Sequence, residues 1–318
     1  MKRSMNKILL SLMVAVLLPL SSFGQYYMRG DINGDRTVNI SDVTALISQV
    51  LSSGGAYIPR SDVNYDRATN IADVTELIHY VLAGEWLSPY PYPSNPENAQ
   101  VFTVNGVSFT MIPVEGGTFD FDPYDRYSPN REVTLDDFMI GQTEVTQALW
   151  LAVMGENPSD YNSNSLEQPV EGVMYFDCED FIAKLSELTG MDFCFPTDEQ
   201  WQFAARGGNQ SHGYLYSGSD DPAMVAWYRD NDLVSPSPVG LKLPNELGLY
   251  DMSGNVRERV YSADAHQSAG YSLLLGGGTH DEREKCTVYS FIGTYPGYAP
   301  PVSGLRLALP VTSTATAR

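Results

Sequence analysis

The chain has 318 residues, 43% of them hydrophobic and 18% charged, with a formal net charge of -20 and three cysteines. A surface this acidic repels nucleic acid and anionic lipid, and three thiols allow at most one disulfide, so this is not a disulfide scaffold. The length allows one full domain and one small module.

Residues 1–24 read as a secretory signal. Lys2, Arg3 and Lys7 precede an apolar run from Ile8 to Leu20, and small residues Ser21, Ser22 and Gly24 follow. That run is too short to span a bilayer, and no other segment is apolar for long enough. We therefore expect no membrane span and an exported chain, in the periplasm, on the cell surface or outside a bacterium.

Two acidic loops follow, 31 residues apart. The first offers Asp31, Asn33, Asp35, Thr37, Asn39 and Asp42; the second offers Asp62, Asn64, Asp66, Ala68, Asn70 and Asp73. Oxygen-bearing side chains recur at loop positions 1, 3, 5, 9 and 12, the ladder by which a short turned segment surrounds a hard cation. After each loop comes a helical pattern with one apolar face: Val43, Leu46, Ile47, Val50 and Leu51, then Val74, Leu77, Ile78, Val81 and Leu82.

This duplicated loop-helix unit resembles a type I dockerin, a small all-α module with paired calcium loops, placed within residues 25–87. The resemblance implies two Ca2+ ions and a cohesin-type protein partner. It also assigns partner choice to loop positions 10 and 11, here Ile40, Ser41, Ile71 and Ala72. Position 6 is normally Gly because the chain turns sharply there; Arg36 and Arg67 stand in its place, so weaker calcium binding is expected. So short a segment has little core of its own, which makes metal part of its folding free energy.

Residues 88–100 form a Pro-rich linker expected to be extended and semi-rigid. A second domain then runs over residues 101–310, with a tail at 311–318. Helices are predicted over Glu144–Met154, over Asp177–Leu188, and after Thr197, an N-cap with Gln200 three residues on. Strands are predicted at Val107–Pro113, Arg131–Ile140 and Leu273–Leu275, and Gly218–Asp221 reads as a solvated loop. The expected class is α+β with long structured loops.

Several segments of this domain resemble the formylglycine-generating enzyme, or sulfatase-modifying factor, family. They are Phe195 to Gly208, Thr143 to Thr146, Gln168 to Phe181, Pro244 to Val256, and the closing pair Gly277-Gly278-Thr279 and Gly304-Leu305-Arg306. The resemblance implies a C-type-lectin-like α+β fold with structural calcium, one ion being held by Asn255, Val256 and Glu258. Oxidase members bind copper through two thiolates, suited to a soft metal, and convert a substrate Cys to formylglycine. Their two cysteine positions fall here on Glu282 and Thr287, so a copper site is not expected, and Cys286 is the one catalytic candidate left. Cys178 and Cys194, set among aromatics, read as small buried hydrophobes, with a disulfide between them left open.

Arg257 and Arg259 replace the family's active-site tryptophans. Together with His280, Tyr289, Phe291, Tyr295 and Tyr298 they form the expected ligand-binding face for an unknown protein or glycan. Tyr, Ser and Gly together are paratope chemistry. Three readings follow: a docking protein with a non-catalytic domain that binds or scaffolds; an oxidoreductase acting on a protein Cys; and a lectin-like binder of the kind whose C-terminal segment is diversified by retroelements.

Overall fold

The structure is a computed structural model that describes residues 29–33, 37–53, 58, 61–64, 68–84, 87, 96, 98–123, 129–161, 165–231, 235–262 and 272–311. The expected signal, most of the linker, Asp35, Asp66, Arg36 and Arg67 lie outside the described residues.

In the small module, α1 (Ile40–Ser52) and α2 (Ile71–Ala83) begin in the same way. Asn39 accepts from the Ser41 amide while Asp42 accepts from the Asn39 amide, and Asn70 with Asp73 repeat the arrangement. These are reciprocal caps with a carboxylate in the first turn, where the helix dipole favours it. Among the described residues, the buried core comprises Ile32 and Val63 from the loops, Val43 and Leu46 from α1, and Val74 and Leu77 from α2. Ile47, Leu51, Ile78 and Leu82, expected on the buried faces, are exposed. A pair of short helices meeting along one seam covers only part of each apolar stripe. Arg29 ties the two halves: its Nε donates to the Val63 carbonyl at 2.7 Å and its Nη2 to Glu76 at 3.1 Å.

The large domain is built on a four-stranded sheet of order β1-β2-β5-β10: β1 (Gln100–Val104), β2 (Val107–Val114), β5 (Phe138–Gly141) and β10 (Ala308–Pro310). The β1–β2 hairpin turns through Asn105 and Gly106, both at positive φ, as a tight hairpin requires. Alternation along β2 and β5 sends Met111 and Met139 to one side and Ile112 and Ile140 to the other. The first side packs on α3 (Gln147–Met154) and α4 (Tyr175–Thr189), where Trp150 stacks on Phe181 at 4.7 Å. The second packs on α5 (Asp198–Ala205) through Trp201 and Phe203, and on a second sheet of order β8-β7-β6-β9. That sheet comprises β8 (Phe291–Thr294), β7 (Ser272–Leu275), β6 (Arg257–Val260) and β9 (Ser303–Leu305), with β6 and β9 parallel. A separate ribbon joins β3 (Thr118–Phe121) to β4 (Arg131–Thr134).

The α+β expectation holds, with local corrections. The first predicted helix starts three residues late, because the Val145 amide donates to the Leu305 carbonyl and the Val145 carbonyl accepts from Val170. Those sheet-like bonds keep Glu144 and Val145 extended, and Thr146 becomes the N-cap. The predicted strand Arg131–Ile140 is two strands in two different sheets, broken at residues 135–137. In the acid-rich stretch, Ser219 is buried and Asp221 caps a short helix, α6 (Pro222–Val225), so it is not a plain solvated loop.

Candidate functional site

In the small module the four terminal rungs of the ladder, Asp31, Asp42, Asp62 and Asp73, are all buried. Asp42 closes its loop: Oδ1 accepts from the Ile32 and Asn33 amides, and Oδ2 from Asn39. Asp73 does the same with Asn64 and Asn70. Asn39 Nδ2 reaches the Thr37 hydroxyl at 2.7 Å, so ladder positions 7 and 9 are adjacent. An all-oxygen donor set of buried carboxylates, amide and backbone oxygens fits a hard cation of the calcium kind. Among the described residues no three acids converge tightly enough to hold an ion; the central rungs Asp35 and Asp66 are outside that set. Ile40, Ser41, Ile71 and Ala72 stand on the first turns of α1 and α2, and each is exposed.

In the large domain the residues expected at one face divide into a buried network and an outer surface. Glu258, on β6, is fully buried. Arg306 donates to it through Nε at 2.9–3.0 Å and Nη2 at 2.6 Å, and Trp201 Nε1 donates at 2.6 Å. Arg306 further donates to the carbonyls of Gly141 and Tyr250. Asn255 Oδ1 accepts from the Ser237 amide, and its Nδ2 donates to Glu144 at 3.2 Å. The calcium expected at Asn255, Val256 and Glu258 does not fit this arrangement, because a guanidinium and an indole already meet both oxygens of the carboxylate. Gly254 and Asn255 are both at positive φ there, and a Cβ on Gly254 would lie 2.2 Å from the Trp227 carbonyl oxygen.

Two further acids belong to the network. Glu144 is held well above the usual carboxylate range by burial first and then by Asp251 and Glu258. Burial likewise raises Asp251 to about 6, against an amide bond from Gly240 and the attraction of Arg306. The sequence alone singled out neither; Asp251, set between Leu249-Tyr250 and Met252, carried a signal as a charge in an apolar stretch, whereas Glu144 stands among Gln142, Thr143, Thr146 and Gln147.

Neither of the oxidase members' Cys positions carries a thiol here. Glu282 is exposed, and Thr287 bonds the Ser290 hydroxyl at 2.8 Å. Cys286 is buried among Tyr216, Met224, Val225 and Tyr228, and that burial pushes its thiol up to about 12. Burial thus favours the protonated thiol at neutral pH. Cys178 and Cys194 are also free thiols.

Of the expected ligand face, Arg259 is wholly buried, donating to the carbonyls of Val173 and Tyr298. That is a correction: the arginine is a brace, not a contact for ligand. Tyr289 packs against the second core and lies 5.5 Å from Arg206. Arg257 pairs with Asp281 at 2.5 Å beside a cleft of about 80 Å3 that Lys285 and Phe291 also line. His280 meets Tyr161 edge-on. Tyr295 and Tyr298 are exposed on a separate turn. Larger clefts of about 350 and 470 Å3 lie elsewhere, beside β2 and near Val311.

The sulfatase-modifying factor enzyme 1-like domain model matches residues 99–311, and the dockerin type I model matches residues 29–82. The chain is similar to the Chaperone protein LppX of Paenibacillus barcinonensis, 34% identical over 225 residues, covering 54% of this chain and 79% of that protein. It is also similar to the Inactive C-alpha-formylglycine-generating enzyme 2 of Bos taurus, 28% identical over 230 residues, covering 54% of this chain and 76% of that protein. Among solved structures, Treponema denticola variable protein 1 aligns with TM-score 0.61 and 26% identity over 67% of this chain and 99% of its own. CarF aligns with TM-score 0.54 and 26% identity over 63% of this chain and 98% of its own. PvdO from Pseudomonas aeruginosa, TM-score 0.55 and 22% identity over 68% and 100% of the two chains, shares the fold. Together with the architecture above, these matches place the chain in the sulfatase-modifying factor enzyme 1-like family, carrying a type I dockerin domain ahead of the family domain.

Proposed function

We propose that this is an exported adaptor that docks through its calcium-loaded small module to a cohesin-type partner and presents a non-catalytic domain for binding or scaffolding. Dockerin domains bind calcium and cohesins, and dockerin proteins are typically extracellular or at the cell surface. The carrying observation is the repetition: two loops capped by equivalent Asn and Asp residues, each with buried acids at its ends and an exposed pair at positions 10 and 11. An assembly serving polysaccharide breakdown is the setting this architecture suits. Against an oxidase role stand the buried, protonated Cys286 and the side chains at positions 282 and 287. The likeness to a relative named inactive supports the same reading. A second reading, a face diversified for ligand binding, is favoured by the likeness to a protein named variable protein 1.

The test is calcium titration of the full chain, followed by circular dichroism and by binding to immobilised type I cohesin. A gain in helix and calcium-dependent retention support docking. Retention unaffected by a chelator sinks it. Conversion of a Cys-containing sulfatase peptide to the aldehyde, lost in Cys286→Ser, would restore the oxidase reading.

A further inference from the structure

Three segments distant in sequence, each carrying exposed aromatic rings, are fastened together on the large domain. The turn Tyr295–Tyr298 is closed by the Tyr298 amide donating to the Tyr295 carbonyl at 3.0 Å. Inside that turn, the Pro296 carbonyl accepts from the Tyr175 amide at 3.0 Å, at the first residue of α4. Beneath it, Arg259 Nη2 donates to the Val173 and Tyr298 carbonyls at 2.8 and 3.0 Å, tying turn, helix and β6 together. Tyr261 lies two residues beyond Arg259 on the same side of the extended chain. Tyr175 turns inward to stack on Phe195 at 4.8 Å, and its neighbour Phe176 turns out. Phe176, Tyr261, Tyr295 and Tyr298 are 56%, 45%, 62% and 56% exposed.

The rim of this face is acidic. Asp177, Glu179 and Asp180 occupy the first turns of α4, with Glu179 and Asp180 exposed. Arg259 is buried under the turn.

We propose that this face docks an arginine- or lysine-bearing segment of a protein partner. The proposal rests on the binding-module reading above and names the site and the partner's chemistry. Aromatic faces attract guanidinium and ammonium groups, Tyr is favoured at interface centres, and a carboxylate rim selects and orients a cationic partner. The chain's charge of -20 steers such a partner in from a distance. A second copy of the same face would set carboxylates against carboxylates.

The test uses the full calcium-loaded chain and a fluorescein-labelled Gly-Arg-Gly-Arg-Gly-Arg peptide, followed by fluorescence anisotropy at about 0.15 M salt. Binding is expected to weaken about tenfold or more in the Phe176→Ser, Tyr295→Ser, Tyr298→Ser triple variant. It should weaken severalfold in Glu179→Gln, Asp180→Asn, and stay unchanged in the exposed control Leu241→Ser. Equal binding by the triple variant overturns the proposal, since general charge attraction would then explain the result. So does cellohexaose binding that the triple variant loses while peptide binding persists, or self-association that the same variant abolishes. Calcium-induced helix in each sample reads the docking reading independently, so failure of one is not mistaken for failure of the other.

Discussion

Arg306 and Glu258 form a fully buried ion pair that joins the segment between β9 and β10 to β6, with the guanidinium Nε and Nη2 both on the carboxylate at 2.6–3.0 Å. Charges so deep are stable only where their hydrogen bonds are complete. Arg306 reaches that state through two backbone carbonyls, and Glu258 through Trp201. Replacing Arg306 by Met should leave Glu258 uncompensated beside Glu144 and Asp251 and destabilise the domain by about 3–5 kcal/mol. Arg306→Lys should recover little, because one ammonium cannot reproduce the fork. Urea unfolding followed by tryptophan fluorescence measures both.

Asp251 gives the domain a pH dependence of definite sign. Its carboxyl titrates near 6 when folded, against an ordinary value of 3.8. The native state therefore holds the proton more tightly than the unfolded chain does. Ionisation costs nothing below both values, costs increasingly between about 4 and 6, and costs its full amount above that window. Glu144 is shifted in the same direction. Asp251→Asn should stabilise the domain at pH 7 by about 1–3 kcal/mol and leave it unchanged near pH 4. Denaturant midpoints across that range check it, and a variant that loses stability equally at both pH values would refute it.

In the small module, Asp42→Ala and Asp73→Ala should each remove both a helix cap and a ladder oxygen. Loss of the cap alone costs about 1 kcal/mol, whereas loss of metal-coupled folding should shift the calcium midpoint by tenfold or more. A Ser at the cap-accepting Asn39 position, Asn39→Ser, keeps a capping oxygen and separates the two effects. Calcium titration by circular dichroism, with chelator reversal, is the measurement.

Cys286 should resist alkylation. With its thiol pushed to about 12 and its side chain buried, iodoacetamide at pH 8 should modify it roughly a thousandfold more slowly than an exposed thiol. In denaturant all three cysteines should react at ordinary rates. Mass spectrometry of timed samples distinguishes these outcomes, and rapid native labelling of Cys286 would reopen the oxidase reading.

Much of this was written locally in the sequence. The two loops and their caps depend on oxygen atoms at fixed short spacings, so Asp31 to Asp73 could be read directly. The caps at Thr197 and Gln200 and the hydrophobic faces of α4 and α5 are equally local. The large family domain was legible because its motifs stand in order along the chain. What the sequence could not give were the outcomes that depend on partners far away. Glu144 and Val145 look helical but are held extended by Val170 and Leu305. Arg257 and Arg259 look equivalent and lie on the same side of β6, yet one pairs with Asp281 while the other is buried against the carbonyls of Val173 and Tyr298. Glu258 reads as a metal ligand until Arg306, 48 residues on, is brought against it. The segments carrying Phe176, Tyr295 and Tyr298 are joined only by bonds between residues far apart in the chain, from Tyr175 to Pro296 and from Arg259 to Tyr298. Side-chain type sets what each residue can do, and long-range packing decides which neighbour it meets.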